Sequence, residues 1–205
     1  MTESEWKTRK TRIDANLKSL KPAWKIIHFH DGLDTTQLNR HAVEEYPTAN
    51  GPADYALFVK GRLLGILEAK KVSVYPQNVL EQAKRYAAGT ANTIGHWNGF
   101  KVPFLYSSNG TAIWFADVRD KGYYARELMN FHTSDAIEEM FARNAQEYKS
   151  WLTNTPNEIE RLWPFQKLAI GAVEDLIIEN KRRMMLAMAT GTGKTFTTVA
   201  MLYRL

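Results

Sequence analysis

Cysteine is absent from the sequence. Disulfides, thiolate metal ligands and thiol nucleophiles are therefore excluded, and a reducing cytoplasm suits the chain. Long hydrophobic runs are missing too. The longest, Met184 to Ala189, is far shorter than a bilayer crossing requires, and the polar start MTESEWKTRKTR is no secretory signal. A soluble protein with no membrane partner is expected. Neither sign of charge dominates: 27 Lys and Arg against 22 Asp and Glu give a net charge of +5. That surplus permits contact with phosphate backbones without demanding it. The basic clusters KTRKTR (Lys7 to Arg12) and KRR (Lys181 to Arg183) read equally well as solvated helix ends. Internal repeats and low-complexity segments are also lacking. What is present, 44% hydrophobic and 24% charged residues, is the composition of a folded chain. Its 205 residues suit one full domain plus the beginning of another.

Periodicity predicts an opening helix over residues 3–21, with Trp6, Ile13, Leu17 and Leu20 on one apolar stripe, stopped by Pro22. After a short apolar stretch (Trp24 to Phe29) and a polar loop, strands are expected from Tyr55. YALFV (55–59) and LLGILEA (63–69) are separated by Lys60-Gly61-Arg62, a hairpin signal. Both are apolar at nearly every position, as in strands covered on two faces. A helix over 78–88 and strands over 102–107 and 111–116 complete an α/β core, followed by a helical stretch over 133–152. The polar Thr153-Asn154-Thr155-Pro156 marks a domain boundary. Beyond it come an amphipathic helix over 166–179 and an apolar strand over 184–188.

The chemistry concentrates at two places. With the hairpin turn centred on Gly61, Asp54 lies opposite Glu68, and directly opposed residues have Cβ atoms roughly 4.5–5.5 Å apart. Lys70, two residues on, projects from the same face. Two adjacent carboxylates repel unless a cation lies between them, and Mg²⁺ takes such oxygen ligands. It can also activate a bound water and neutralise charge on a phosphate. A plain hairpin with charged strand ends is the ordinary alternative. Against it stand the turn Gly51-Pro52 just before Asp54, the apolar strand that delivers Glu68, and Gln82 and Tyr86, which share a helix face. The second place is MMLAMATGTGKT (184–195). An apolar strand, a loop with Gly191, Thr192 and Gly193, and then Lys194-Thr195 opening a helix can cradle phosphates. Lys194 would reach the β and γ oxygens and Thr195 would bind Mg²⁺.

The set Asp54, Glu68-Ala69-Lys70 and Gln82-x-x-x-Tyr86 resembles the PD-(D/E)xK nucleases. More narrowly, it resembles the N-terminal domain of the restriction (R) subunit of type I restriction enzymes. TRKTRID, EYP, GPADYALFVKG, ILEAKK, EQAKRY and SSNG all occur in that family's style and order. The resemblance implies that Asp54 and Glu68 bind Mg²⁺, that Lys70 serves catalysis, and that Gln82 and Tyr86 support DNA cleavage. Glu5 resembles an acid that such nucleases place near the metal, or else pairs with Arg9 at i,i+4. Glu45 is a further candidate, although Glu44 could equally be the inward residue. His28, His30 and His41 lack zinc spacing, and Tyr75, Trp97 and Trp114 read as core. The terminal loop has Met188 where the broad phosphate-loop pattern wants glycine. It matches instead the shorter G-x-G-K-T form of superfamily 2 helicases. Gln166, in Trp-Pro-Phe-Gln, either reads adenine as in those motors or simply opens a helix.

The fold class expected is α/β. A PD-(D/E)xK restriction-endonuclease-like core with flanking helices spans 1–152, a linker spans 153–165, and the first elements of a P-loop (RecA-like) helicase domain span 166–205. The resemblance implies a Mg²⁺-dependent endonuclease coupled, in a longer prokaryotic cytoplasmic protein, to ATP-driven translocation. Double-stranded DNA and the specificity and modification subunits are the partners implied. The second acidic motor strand and the arginine finger are missing, so the chain is expected to be an N-terminal fragment that does not turn over ATP productively. Two alternatives remain: another nuclease–helicase fusion, and a DNA-binding or assembly module with an inactive centre.

Overall fold

The structure is a computed structural model that describes residues 4–75, 80–91, 94–143, 145–179, 181 and 183–205. They form two compact units, residues 1–143 and 144–205. The first is built on a seven-stranded sheet whose strands lie in sequence order: β1 (Lys25–His28), β2 (His41–Tyr46), β3 (Ala53–Val59), β4 (Arg62–Ala69), β5 (Phe104–Ser108), β6 (Ile113–Asp117) and β7 (Arg126–Leu128). Neighbours are antiparallel except β1/β2 and β4/β5. The parallel β4/β5 pair requires a crossover, and helix α3 (Leu80–Gly89) supplies it. The expected start of that helix at Asn78 lies outside the described residues.

β3 and β4 are central, and their nearly continuous burial follows from cover on both faces. Tyr55, Leu57 and Val59 pack with Ile13 and Leu17 of the N-terminal helices and Ile137 of α4 (Ser134–Ala142). Ala56 and Phe58, pointing the other way, pack with Leu80, Ala83 and Ala87 of α3. The hairpin between them is tighter than the sequence suggests. Arg62 already pairs with Val59, leaving a two-residue turn, Lys60-Gly61, with φ of +49° and +72°. Left-handed values at both positions mark a primed turn that matches strand twist. A bulge in β4, where Leu64 is the extra residue between the Phe58–Leu63 and Leu57–Gly65 pairs, then shifts the register by one. Beyond the bulge Tyr55 faces Leu67, so the ladder brings Asp54 level with Glu68 as expected, by a route the sequence did not show.

Several expectations need correction. The opening helix is α1 (Glu5–Thr8), a π-helical turn (Arg9–Ile13) and α2 (Asp14–Ser19). The extra residue of a π turn rotates what precedes it off the apolar stripe, and Trp6 is 68% exposed while Ile13 and Leu17 are buried. The same rotation turns Arg9 inward. HAVEEY (41–46), read as the end of a polar loop, is strand β2 with Glu44 buried. Tyr75 is 55% exposed and meets the buried Trp114 edge-on. Met184 to Met188 form no strand and are largely exposed, since no described strand offers them a ladder.

The second unit holds α5 (Ala145–Asn154), α6 (Pro164–Ile178) and α7 (Lys194–Arg204). The helical stretch expected over 133–152 divides at Arg143 into α4 and α5, and α5 falls with α6 and α7. Leu162, Ile170 and Ala200 form a small core. Beside it the Arg204 guanidinium grips both oxygens of Glu174 at 2.5 and 3.1 Å, donates to the carbonyls of Thr155 and Pro156, and covers the ring of Trp151. No helix among the described residues is long and apolar enough to cross a membrane.

Candidate functional site

The start of β3 lies beside the end of the antiparallel β4, and these neighbouring ends carry the acids, Asp54 and Glu68. Asp54 accepts the backbone N–H of Ala69 at Oδ2 (2.7 Å) and an Arg9 guanidinium N–H at Oδ1 (2.9 Å). Glu68 is almost fully buried; its Oε1 accepts from Lys70 Nζ at 2.6 Å, while its Oε2 has no hydrogen-bond partner among the described residues. Glu5 Oε1 approaches Lys70 Nζ at 3.8 Å. The structure therefore brings Asp54, Glu68, Lys70 and Glu5 together, with Glu5 meeting Lys70.

Electrostatics show what the cluster lacks. Burial, then the nearby Asp54 charge, push the Glu68 carboxyl up to about 8 against the pull of Lys70. Burial likewise raises Asp54, opposed by the Ala69 amide, Arg9 and Lys70. The Lys70 pKa is raised as well, which for an amine favours the charged form. Burial lowers its pKa, but Glu68, Glu5 and Asp54 outweigh that and hold the amine charged. A buried pair of carboxylates in which one resists ionisation is short of positive charge. Mg²⁺ binds through one or two carboxylates and keeps several waters, which suits a pair with a free buried oxygen at Glu68 Oε2. Among the described residues no three His, Cys, Asp or Glu side chains form a larger metal-binding group. Asp54 and Glu68 are the pair of carboxylates that could hold such an ion.

Arg9, which the sequence did not single out as part of the centre, is the clamp behind it. Its guanidinium reaches Glu45 (2.5 Å), Asp54 and Glu44 (3.8 Å) and lies over the ring of Tyr55. Burial opposes its charge, yet Glu45 and Asp54 raise its pKa. Lys10 pairs with Glu44 and with Asp14, and Asp14 accepts the buried Tyr55 hydroxyl at 2.5 Å. Both weighed acids of β2 therefore serve this ionic layer. Glu44 is the inward one, whereas Glu45, at φ +54°, meets Arg9 from a half-exposed position. The one available signal was the TRKTRID string, whose basic residues read equally well as solvent-facing. Gln82 Nε2 donates to the Tyr86 hydroxyl at 2.9 Å, so these two pair with each other along α3. His28 is exposed and 3.6 Å from Glu44, and His41 accepts the Asn39 N–H.

In the second unit the loop 189–193 turns through two left-handed glycines, Gly191 (φ +84°) and Gly193 (φ +75°). A Cβ at Gly193 would lie 2.7 Å from Gln166 Nε2, so the glycine lets loop and α6 meet. Gln166 is buried. Its Oε1 accepts the Trp163 N–H at the start of α6, and its Nε2 donates to the Thr192 carbonyl. It both caps the helix and ties down the loop. Lys194 Nζ lies across the loop on the carbonyls of Met188 and Ala189 (3.2 and 2.9 Å), and the Thr192 hydroxyl donates to Ala189 O. Thr195 stands exposed in the first turn of α7.

A family model described as "Type I restriction enzyme EcoKI endonuclease subunit second domain" matches residues 24–141. Another, described as "Type III restriction enzyme, res subunit", matches residues 159–205. The first range contains Asp54, Glu68, Lys70, Gln82 and Tyr86, and the second contains the phosphate loop. Among curated proteins, the type I restriction enzyme EcoKI endonuclease subunit of Escherichia coli (strain K12) is 30% identical over 243 aligned positions, covering 94% of this chain and 20% of that protein. The chain thus spans about one fifth of the length of the curated relative it matches. No solved structure matches.

Proposed function

Because the chain belongs to the family of type I restriction-enzyme endonuclease subunits, we propose that its first unit is a Mg²⁺-dependent DNA endonuclease centred on Asp54, Glu68 and Lys70. The observation that carries this is the buried Glu68, with one oxygen on Lys70 and the other without a hydrogen-bond partner among the described residues, level with Asp54 across one hairpin. Asp54 and Glu68 would hold the ion, with Glu5 near enough to join through water. Bound Mg²⁺ supplies charge neutralisation at the scissile phosphate and acidifies a coordinated water. Lys70 keeps its proton and steadies the charge that develops on the phosphate. Gln82 and Tyr86 act as a pair on α3, in support of DNA cleavage.

The second unit supplies Gly191, Thr192, Gly193, Lys194 and Thr195 to the phosphates and Mg²⁺ of ATP, with Gln166 at the same loop. In the longer protein ATP hydrolysis drives translocation of double-stranded DNA, with specificity and modification subunits as partners. One observation favours the reading of an inactive centre: Arg9 already donates to Asp54 Oδ1.

The test is cleavage of supercoiled plasmid by the full-length subunit in its complex, with Mg²⁺ against EDTA. Asp54→Ala or Glu68→Ala should lower cleavage by at least about 1,000-fold while leaving ATP hydrolysis near wild type. Lys194→Ala should stop ATP hydrolysis and the cleavage that depends on it. Metal-independent cutting, or ATPase activity that survives Lys194→Ala, would count against the respective assignment.

A further inference from the structure

The loop that follows β5 has no part in the function so far. Asn109 is 5% exposed, and its side chain makes five hydrogen bonds. Oδ1 accepts from the Thr111 and Ala112 amides (3.1 and 2.9 Å) and from the Thr111 hydroxyl (2.8 Å), which shapes the turn into β6. Nδ2 donates to the carbonyls of Val72 and Val74, each at 3.0 Å. Those two carbonyls belong to the segment that leaves Lys70. The Lys70 amide donates to Ser108 O at 2.9 Å, so the lysine backbone is held by β5 on one side and by Asn109 just beyond. The next residue, Gly110, has φ of +80°, and a Cβ there would stand 2.6 Å from Cβ of Arg12. The same loop therefore backs the N-terminal helix that brings Arg9 to Asp54 and Glu5 to Lys70.

We propose that Asn109 is a positioning residue for the cleavage centre, fixing the chain after β4 so that Lys70 Nζ is held at Glu68; this rests on the nuclease reading above. A carboxamide is what the place demands. Two donors face two carbonyls while the oxygen serves the turn, a division that neither a carboxylate nor a hydroxyl reproduces. A displacement of about 1 Å at a reacting group can cost on the order of 100-fold in rate. Two fixed carbonyls beyond Lys70 guard against such a shift.

The variant Asn109→Asp separates the two halves of the grip. It retains the acceptor for the turn and sets a second oxygen against the Val72 and Val74 carbonyls. Thr111→Val removes a turn-side bond alone. In the full-length subunit within its complex, Asn109→Asp should lower kcat for DNA cleavage by about 10- to 100-fold, with KM for DNA and ATP hydrolysis unchanged. Without metal, backbone amides of residues 70–75 should exchange at least about 10-fold faster by mass spectrometry, with the β3 amides unaffected. Thr111→Val should resemble wild type. Wild-type kcat in Asn109→Asp overturns the proposal. So does an equal loss in Thr111→Val, or a parallel fall in ATP hydrolysis. If Asn109→Asp does not fold, Asn109→Ser, which still accepts from the turn but cannot reach Val72 and Val74, is judged by the same outcomes. Wild type and Asp54→Ala run alongside. No metal-dependent cleavage by wild type, or cleavage by Asp54→Ala, removes the nuclease reading and this inference with it. Normal controls with an unaffected Asn109→Asp remove the inference alone.

Discussion

At Glu68 function and stability pull in opposite directions. Its carboxyl loses a proton near the usual 4.5 when the chain is unfolded but holds it up to about 8 in the metal-free fold. Between those values the folded state binds more protons than the unfolded one, so the stability Glu68 contributes is full below 4.5 and is lost as pH rises through 8. Urea denaturation in EDTA should show that decline, and Glu68→Gln should flatten it. A decline that persists unchanged in the variant would place its origin elsewhere. An ion held there as proposed would displace the same proton, so the stabilising effect of Mg²⁺ on the wild type should grow with pH over the same range. Arg9 follows the opposite logic. It neutralises acids that burial makes costly, and its own buried charge is repaid by Asp54, Glu45 and Glu44 together.

At the scale of elements, the hairpin that carries the acids depends on its turn. Gly61 sits at φ +72°, and a Cβ there would lie 2.6 Å from the Thr36 carbonyl oxygen. Gly61→Ala should cost about 1–3 kcal/mol, read as a lower urea midpoint with an unchanged slope. A variant as stable as wild type would show that the turn can re-form. The strands of this hairpin were legible because their apolar runs and the intervening glycine are local signals. The bulge at Leu64 was not, since nothing in LLGIL distinguishes a bulged strand from a regular one. Asp54 and Glu68 were legible for the same local reason. Arg9 was not, because a basic residue in KTRKTR reveals its buried side only through Asp54 and Glu45, which lie far along the chain. β2 escaped notice for the matching reason: which of Glu44 and Glu45 faces inward stays open until Lys10 and Arg9 are placed beside them. In the second unit the glycine loop was plain, whereas Met184 to Met188 have strand composition without a strand to pair with.

For the whole molecule, the two compact units differ in what holds them. The first has an apolar layer on each face of its sheet. The second rests on Leu162, Ile170 and Ala200 with the buried Arg204–Glu174 pair. Arg204→Ala leaves Glu174 buried without its cation and should cost about 3 kcal/mol. That is enough to unfold a small unit. Amide exchange should accelerate over 145–205 and stay unchanged in β3 and β4, whereas a uniform acceleration would mean that the chain unfolds as one body. The proposed cleavage centre has an order of assembly of its own. Asp54 and the Ala69 amide are 15 residues apart, while Arg9 reaches Asp54 from 45 residues away. Short loops close first, so the hairpin must bring two carboxylates together with Lys70 as their local counter-charge, before Arg9 arrives. Salt, which screens both repulsion and attraction, should then speed refolding while also speeding unfolding, a pairing that stopped-flow measurements across KCl concentrations would resolve.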